Sequence, residues 1–329
     1  EAEAAFGIAD VYVEAFMAKA RHVEVQIIGD EHGAVSNLGE RECSAQRRNQ
    51  KLVEIAPAPA LDAVLRDRMI DAATTLAEQE GYQSLGTFEF LVNSSANAPE
   101  FVFIEANARL QVEHTVTEAV TGFDLVQSQI QVAMGASLES LGLDKPAKPR
   151  GFAVQARVNM ETLNADGSVW PGSGILSAYE PPSGPGVRVD GFGYVGYETS
   201  TAFDSLLAKV IVAHNAPNFS AACAKTVRAL AEFRIEGVNT NIEFLMNLVG
   251  HADFKVGDIH TRWVDLNMAL LAEPSEARQR FLSMQPAAAE DGFAGAKVDT
   301  SDPLALFAHD AEVKSRKNAA VEAAPAVVG

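Results

Sequence analysis

Two glutamates near the middle of the chain occupy corresponding positions in two apolar segments. Glu89 lies in GTFEFLV and Glu105 in EFVFIEAN, and a loop-like stretch from Asn93 to Pro99 separates them. Their β-branched and aromatic content predicts an antiparallel hairpin, and a loop centred near Ala96 or Asn97 places Glu89 roughly opposite Glu105. Carboxylates about 5 Å apart repel each other by roughly 1 to 3 kcal/mol, depending on the effective dielectric constant. The pair therefore predicts a cation between the two side chains.

The residues that follow narrow the chemistry of this hairpin. Carboxylates together with the amide oxygen of Asn107 suit the hard cations Mg²⁺ or Mn²⁺, and proteins usually share Mg²⁺ with substrate phosphates. Arg109, Gln111, Glu113 and His114 then place four polar side chains within six residues, directly after an apolar strand. Such a density of reactive groups is uncommon in a structural turn. The segment predicts a metal-bound phosphate site.

Composition excludes several classes of function. The chain has 329 residues, of which 47% are hydrophobic and 21% charged, as in an ordinary globular protein of about two domains. A net charge of −18 argues against nucleic-acid or anionic-membrane partners, which require Lys and Arg patches. No apolar run approaches the ~18 residues of a membrane span. The two cysteines, Cys43 and Cys223, suit neither a zinc site nor a disulfide framework, which favours buried thiols in a reducing, cytoplasmic setting.

Periodicity predicts the elements that position these residues. VYVEAF, from Val11 to Phe16, is predicted to be a short strand. RHVEVQIIGD alternates cleanly, which predicts a half-buried strand whose polar side, with His22, faces a cleft or water. Residues 151–214 contain short apolar segments separated by Gly and Pro, which predicts an antiparallel region. Four helices are predicted, over Leu61–Glu80, Leu125–Met134, Phe219–Phe233 and Asn241–Leu248, with Asp124 capping the second and Asn239 or Thr240 the fourth.

A longer set of motifs carries a family resemblance. From roughly Val11 to Asp265 the chain resembles the biotin carboxylase part of biotin-dependent carboxylases, which are ATP-grasp enzymes, in the ordered segments RHVEVQI, RECSAQRRNQKLVEIAPAP, GTFEF and EANARLQVEHTVTEAVTGFDLV. The resemblance implies an α+β fold, with an ATP-grasp main lobe and an antiparallel C-terminal subdomain.

The resemblance also implies a division of the chain. We expect the end of the ATP-grasp lid and its hinge in 1–16, the ATP and metal lobe in 17–150, the C-terminal subdomain in 151–270, and a poorly structured Ala/Pro linker in 271–329. The family's N-terminal domain and most of its lid, with a glycine-rich phosphate loop, are expected upstream of Glu1. For that reason we do not expect the chain to turn over alone.

Site residues carried over from the family fall into four groups. The ATP contacts are expected at Glu14, Ala15, Phe16, Met17, His22, Gln46, Asn49, Glu89, Leu91 and Glu105; the metal ligands at Glu89, Glu105 and Asn107; the bicarbonate contacts at Lys51, Arg109, Gln111 and Val112; and the biotin contact at Arg157. Lys51, Arg109, Glu113 and Arg157 are the expected catalytic residues. Asn49 stands where the family usually has His, and Ala15 where it usually has Lys.

The implied activity is ATP-dependent carboxylation of biotin by bicarbonate through carboxyphosphate, the first half-reaction of an acyl-CoA, pyruvate or urea carboxylase. Its cofactors would be ATP, Mg²⁺ or Mn²⁺ and carrier-bound biotin. Its partners would be a biotin carrier domain and a carboxyltransferase domain, in a homo-oligomer. Two rivals remain: another ATP-grasp ligase, such as a carbamoyl-phosphate synthase, and a catalytically incomplete subunit. The QVEH segment and the C-terminal subdomain weigh against the first rival.

Overall fold

Alternating apolar strands and amphipathic helices form one mixed assembly around a large antiparallel sheet. The computed structural model describes residues 2–13, 15–93, 100–202 and 204–274. These residues belong to one compact unit, Glu1–Gln279. Glu14, Phe203 and nearly all of the predicted linker lie outside the described residues. Within the described part of the chain, no helix is both long and apolar enough to cross a membrane.

The strands are β1 Ala20–Gly29, β2 Val35–Arg47, β3 Gln50–Ala56, β4 Ser84–Asn93, β5 Glu100–Asn107, β6 Phe152–Asn159, β7 Glu161–Leu163, β8 Val169–Pro171, β9 Ala178–Glu180, β10 Val187–Gly191, β11 Leu206–His214 and β12 Arg234–Glu236. The helices are α1 Ala2–Phe6, α2 Ala63–Gln79, α3 His114–Thr121, α4 Leu125–Ala133, α5 Phe219–Glu232, α6 Ile242–Gly250, α7 Ala252–Val256, α8 Trp263–Leu266 and α9 Met268–Leu271.

Eight strands pair in the order β10-β11-β6-β3-β2-β1-β4-β5, and the pairs are antiparallel. Strand β3, from the predicted ATP lobe, pairs directly with β6, from the predicted C-terminal subdomain, with Glu54 opposite Gln155. The two regions therefore share one continuous sheet. This topology confirms the predicted α+β class.

Helix α2 covers the apolar face of the sheet. Asp62 caps its first turn by accepting a hydrogen bond from the amide of Leu65 at 2.9 Å. Its buried stripe is Leu65, Met69, Ala73 and Ala77, which packs in one apolar cluster with the side chains of β1 and β4. The helix predicted over Leu61–Glu80 is therefore present, and two apolar residues outside its buried stripe, Val64 and Leu76, are exposed.

Strand β1 departs from its prediction because both of its faces are buried. It lies between β2 and β4, and its apolar side chains pack against α2. The opposite face carries Glu24 and Gln26, which are 0% exposed. The predicted alternation of apolar and polar residues in β1 is therefore correct. Its polar face, however, is buried and belongs to a network of polar side chains beside the site.

A second core lies between β6, β11 and the helices that follow. Phe233, Leu245 and Phe254 are completely buried there. Helix α5 is capped by Asn218, whose side chain accepts from the amide of Ala221 at 3.0 Å. This packing against the helices fixes the position of strand β6.

Three expectations from the sequence were wrong or incomplete. Residues 11–13 and 15–16 form no strand, and Val13 is 99% exposed, because no neighbouring strand in the described structure pairs with them. Helix α6 begins after Asn241, not after Asn239 or Thr240. Helix α3 was not predicted at all, although it begins directly after Glu113.

Candidate active site

The hairpin of β4 and β5 has the predicted register. Glu89 lies opposite Glu105, and Thr87 lies opposite Asn107. A bulge follows at Glu89/Phe90, so the pairing shifts by one residue towards the loop. The amide nitrogen of Asn107 donates to Glu89 Oε1 at 3.1 Å and to Glu105 Oε1 at 3.0 Å. The two carboxylates and the amide therefore converge on one point.

Lys51 is the cation at the centre of the site. Its Nζ lies 2.6 Å from Glu24 Oε2, 2.5 Å from Glu113 Oε1 and 3.2 Å from Glu89 Oε1. These acids come from β1, from the segment before α3 and from β4. Burial opposes its charge, but the negative groups around it raise the pKa of Lys51 well above its usual range. The amine therefore stays cationic.

Glu89 is held by donors on several sides. His22 Nε2 lies 2.8 Å from its Oε2, and Gln111 Nε2 donates to its Oε1 at 2.9 Å. Burial works against ionisation, but the hydrogen bond from His22 and the charge of Lys51 lower the pKa of Glu89 to about 2. Glu89 is thus a carboxylate at neutral pH, as a metal ligand must be.

Arg41 is a buried arginine that was not predicted from the sequence, and it holds Glu24, one of the carboxylates that Lys51 contacts. Arg41 is 0% exposed, and its Nε donates to Glu24 Oε1 at 2.5 Å. Its Nη1 donates to Gln26 Oε1 at 2.7 Å and to Thr117 Oγ1 at 3.0 Å. Burial opposes the ionisation of Glu24, but Arg41 and Lys51 lower its pKa to about 2. One buried carboxylate therefore bridges two cations.

Arg157 occupies the opposite wall on β6. Its Nε donates to Glu54 Oε1 at 2.5 Å, and its Nη2 donates to Glu113 Oε2 at 3.1 Å. Burial opposes the charge, but Glu54 and Glu113 raise the pKa of Arg157 above its usual value. The side-chain amide of Asn241 donates to the backbone carbonyl of Arg157 at 3.0 Å, which ties β6 to the start of α6.

Arg109 differs from the other cations because its side chain faces the open part of the site. Its Nη1 donates to the carbonyl of Leu110 at 3.4 Å, and the residue is exposed. A guanidinium that offers most of its donors to solvent suits a bidentate contact with an incoming oxyanion.

One cavity of about 850 Å³ gathers these residues. It is lined by every predicted site residue that the structure describes: Ala15, Phe16, Met17, His22, Gln46, Asn49, Lys51, Glu89, Leu91, Glu105, Asn107, Arg109, Gln111, Val112, Glu113 and Arg157. Glu14 lies outside the described residues. The structure thus brings the set together, while the role of each residue stays a prediction.

Asn49 lines the cavity from a turn whose backbone is left-handed. It forms the tight turn between β2 and β3 with φ of 66°, next to Arg48 with φ of 45°. Asn tolerates this left-handed region better than most residues. The side chain still lines the cavity.

The structure adds residues to the site that the sequence analysis did not assign. Glu24, Arg41 and Glu54 form its buried support, and Thr261 and Arg262 line the cavity from near the end of the described chain. Glu24 could have been found, because it shares the polar face of β1 with His22. Glu54 and Arg41 carry a weaker signal, as charges inside apolar strands. Thr261 and Arg262 carry no local signal, because only tertiary folding brings them here.

The donor set of Glu89, Glu105 and Asn107 fits a hard divalent cation. Strand pairing brings the two carboxylates together, and the Asn107 amide, whose nitrogen faces them here, presents its oxygen to a cation when the amide rotates. Among the described residues, two sets of His, Cys and carboxylate ligand atoms lie within 4.8 Å of one another, His22–Glu24–Glu89 and Glu24–Cys43–Glu113. Both include Glu24, whose oxygens already bind Arg41 and Lys51. In addition, burial raises the pKa of Cys43, which keeps it a thiol.

The geometry defines a site for a polyanionic substrate. It combines fixed cations, a cluster of oxygen ligands and one carboxylate, Glu113, that lies between Lys51 and Arg157. Such a site stabilises negative charge that moves between oxygens, as in phosphoryl transfer to a carboxylate-like acceptor.

Comparison with known proteins identifies the family. Residues 1–141 match the model of the carbamoyl-phosphate synthase L chain ATP-binding domain, and residues 155–266 match the biotin carboxylase C-terminal domain. Together with the sheet and the cavity, these matches show that the chain belongs to the biotin carboxylase family, with an ATP-grasp fold. The resemblance stated from the motifs is confirmed.

The curated relatives are longer proteins, and this chain matches only part of each. The chain is 46% identical to pyruvate carboxylase 1 of Caenorhabditis elegans over 286 residues, which is 86% of this chain and 24% of that protein. Across the first curated relatives it spans roughly a quarter of their length, 22% to 24%.

Solved structures give the same picture. A single-chain, multi-domain long-chain acyl-CoA carboxylase superposes with a TM-score of 0.75 at 46% identity, over 79% of this chain and 28% of that one. The biotin carboxylase domain of the 2-oxoglutarate carboxylase of Hydrogenobacter thermophilus, in complex with MgADP, ADP and bicarbonate, has a TM-score of 0.75 at 37% identity, over 83% of this chain and 58% of that one.

Proposed function

We propose that this chain forms part of the active site of a ligase that carboxylates biotin with bicarbonate at the expense of ATP. The observation that carries the proposal is the position of Glu113. Its two oxygens contact the cations of Lys51 and Arg157, inside a cavity that also holds the Glu89, Glu105 and Asn107 oxygen cluster. A base, two fixed cations and a metal-ligand set are the parts that bicarbonate phosphorylation requires.

In the first step, bicarbonate binds among Lys51, Arg109, Gln111 and the backbone of Val112. Glu113 removes the bicarbonate proton as an oxygen of bicarbonate attacks the γ-phosphorus of ATP. The bond between that phosphorus and the bridging oxygen of the β-phosphate breaks, and carboxyphosphate and ADP result. Lys51 and Arg109 stabilise the charge on the oxygens, because their cations are already in place before the reaction.

Glu89, Glu105 and Asn107 would hold Mg²⁺ or Mn²⁺. When bound, the cation supplies charge neutralisation and orientation of the β- and γ-phosphates. The structure of the Hydrogenobacter relative, in complex with MgADP, supports the choice of Mg²⁺. His22, Gln46, Asn49 and Leu91 would contact the nucleotide, together with the backbone of Ala15, Phe16 and Met17.

In the second step, carboxyphosphate separates into CO₂ and phosphate. Phosphate takes the proton from N1 of biotin, and N1 attacks CO₂ to form carboxybiotin. Arg157 stabilises the enolate oxygen of biotin with its guanidinium, helped by Arg109. Glu54 keeps the Arg157 side chain oriented, because it accepts from its Nε.

The partners implied are a biotin carrier domain and a carboxyltransferase domain in the same polypeptide, within a homo-oligomer. Multi-domain organisation in the acyl-CoA carboxylase and in the multifunctional pyruvate carboxylase of Rhizobium etli supports the first part. The final acceptor stays open among acyl-CoA, pyruvate and urea. A cytoplasmic location stays a prediction.

The deciding experiment measures phosphate release from ATP by the holoenzyme, with and without bicarbonate and biotin. We expect release to require bicarbonate and to rise with biotin. Phosphate release that needs ammonia or glutamine instead would favour the rival carbamoyl-phosphate type of ligase. The match of residues 155–266 to the biotin carboxylase C-terminal domain argues against that rival.

A further inference from the structure

Lys209 is a partly buried cation that lies behind the wall of the cavity and has no part in the reaction described above. It sits on β11 in the apolar segment LLAKVIVAH, and its side chain is only 12% exposed. Its Nζ donates to the backbone carbonyl of Val112 at 3.0 Å. In the sheet, Lys209 pairs with Arg157 on one side and with Asp190 on the other. A lysine in this setting needs a reason, because burial disfavours its charge.

The carbonyl that Lys209 holds belongs to the peptide unit between Val112 and Glu113. A peptide unit is planar, so fixing its oxygen also fixes the amide of Glu113 and the position of the Glu113 Cα, from which the side chain starts. The neighbouring carbonyl of Gln111 is held from the other side, by His114 Nδ1 at 2.7 Å. The two contacts clamp the segment that carries the proposed base.

A chain of ion pairs anchors Lys209 in turn. Asp190 Oδ2 lies 3.5 Å from its Nζ, and Arg188 holds both oxygens of Asp190 at 2.7 and 2.9 Å. Arg188 also donates to Glu118 Oε2 at 2.7 Å. Because Glu118 lies on α3, which begins directly after Glu113, this series of ion pairs leads back to the segment that carries Glu113. It braces both the entry to α3 and its middle.

We propose that Lys209 is a positioning residue that holds the Val112–Glu113 peptide so that the bicarbonate contacts and the base face the γ-phosphate. This inference rests on the proposed function. Lys209 touches no substrate, since it does not line the cavity; it acts through the carbonyl of Val112. The cation on that oxygen also polarises the peptide, which strengthens the Glu113 amide as a hydrogen-bond donor.

The first test compares Lys209→Met, Lys209→Arg and the control Lys225→Met in the holoenzyme. Lys225 is matched, because it too donates to backbone carbonyls, those of Pro185 and Ala213 at 2.6 and 2.7 Å, but outside the cavity. A lost charged hydrogen bond predicts a rise of about tenfold in the KM for bicarbonate in Lys209→Met, with nucleotide affinity within about twofold. Lys209→Arg should recover most of the loss. An unchanged KM, or an equal rise in Lys225→Met, overturns the inference.

The second test does not depend on activity. Hydrogen exchange of the peptide covering residues 110–116 is measured in the full 329-residue chain and in the same three variants. Lys209→Met should speed exchange there and Lys225→Met should not. Equal exchange in Lys209→Met and the unsubstituted chain overturns the role of Lys209, whatever reaction the site performs. If this exchange changes as expected but phosphate release never requires bicarbonate, the proposed function is wrong, and the positioning role of Lys209 is supported.

Discussion

Lys51 Nζ and Glu113 Oε1 lie 2.5 Å apart, although the residues are 62 positions apart in the chain. The other oxygen of Glu113 contacts Arg157, so the proposed base lies between a cation of β3 and a cation of β6. Substrate oxygens that enter this gap meet fixed positive charge on both sides. The arrangement places positive charge where the proposed bicarbonate and phosphate substrates would need it, in a site that is rich in acids.

Replacing the base should separate chemistry from binding. Glu113→Gln keeps the shape and a hydrogen-bonding oxygen but cannot accept the bicarbonate proton. Loss of a general base lowers rates by about 10²- to 10⁴-fold, so bicarbonate-dependent ATP cleavage should fall by that factor while nucleotide affinity stays within about threefold. Glu78→Gln, on the exposed side of α2, is the control. A loss of activity below about threefold in Glu113→Gln would contradict its role.

Glu89 should make the fold sensitive to acid. Its pKa is about 2 in the folded protein, below the ordinary value for glutamate. Its stabilising effect is therefore fully present above about pH 4.3 and is lost as the pH falls towards 2, up to about 3 kcal/mol in all. Glu89→Gln should lower stability at pH 7 and flatten this dependence. Urea denaturation across this pH range checks it.

This expectation reverses the one that the sequence suggests. From the strand pairing alone, Glu89 and Glu105 repel, and removing one charge would stabilise the protein. In the structure the cation of Lys51 lies 3.2 Å from Glu89 and compensates its charge before any metal binds. The exposed Glu100→Gln, on the neighbouring strand, should leave the acid dependence as it is. If Glu89→Gln proves more stable than the unsubstituted chain, the pairing with Lys51 is not the dominant contact.

Arg41 should be a large contributor to stability. Arg41→Met removes one partner of a buried ion pair and leaves Glu24 with less compensation, which costs about 3 to 5 kcal/mol in free energy of unfolding. Adding Glu24→Gln should recover part of this loss, so the double variant costs less than the sum. The exposed pair of Arg66 and Asp67 provides a control, because Arg66→Met should change the free energy by less than about 1 kcal/mol. Additive losses would argue against direct coupling.

Arg157 should matter for the biotin step more than for ATP cleavage. Arg157→Met removes the guanidinium that is proposed to face the biotin enolate, so stimulation of phosphate release by biotin should be lost while release without biotin persists. Arg228→Met, from a surface pair with Glu232 on α5, should retain the stimulation. Biotin stimulation that survives in Arg157→Met would place the biotin contact elsewhere.

The sequence predicted most of what is local. The hairpin register followed from a loop position and strand composition, and the pairing of Glu89 with Glu105 is confirmed. Helix α4 and its cap at Asp124 followed from capping chemistry, and the Asp124 side chain accepts from Gln127 at 2.7 Å. These features depend on residues close together in the chain.

What the sequence could not predict depends on distant partners. Glu24 looked like a polar residue at a cleft, but its buried charge is compensated by Arg41 on the neighbouring strand β2 and by Lys51 on β3, the next strand along the sheet. Asn241 was expected to be the first residue of a helix, whereas it lies just before α6 and its side chain holds the backbone of Arg157. Periodicity in the sequence predicts which side chains share a face of a strand or helix. It does not predict which distant cations the fold places in contact with them.

The direct pairing of β3 with β6 limits how proteins of this kind can be recombined. Residues 1–141 and 155–266 match separate family models, yet their strands exchange backbone hydrogen bonds with Val53 opposite Ala156. A slip of one residue would turn Arg157 to the other face of the sheet and away from Glu113. A chimera that joins these regions from two relatives must therefore inherit matched seam strands. The two regions form one structural unit and cannot be exchanged independently.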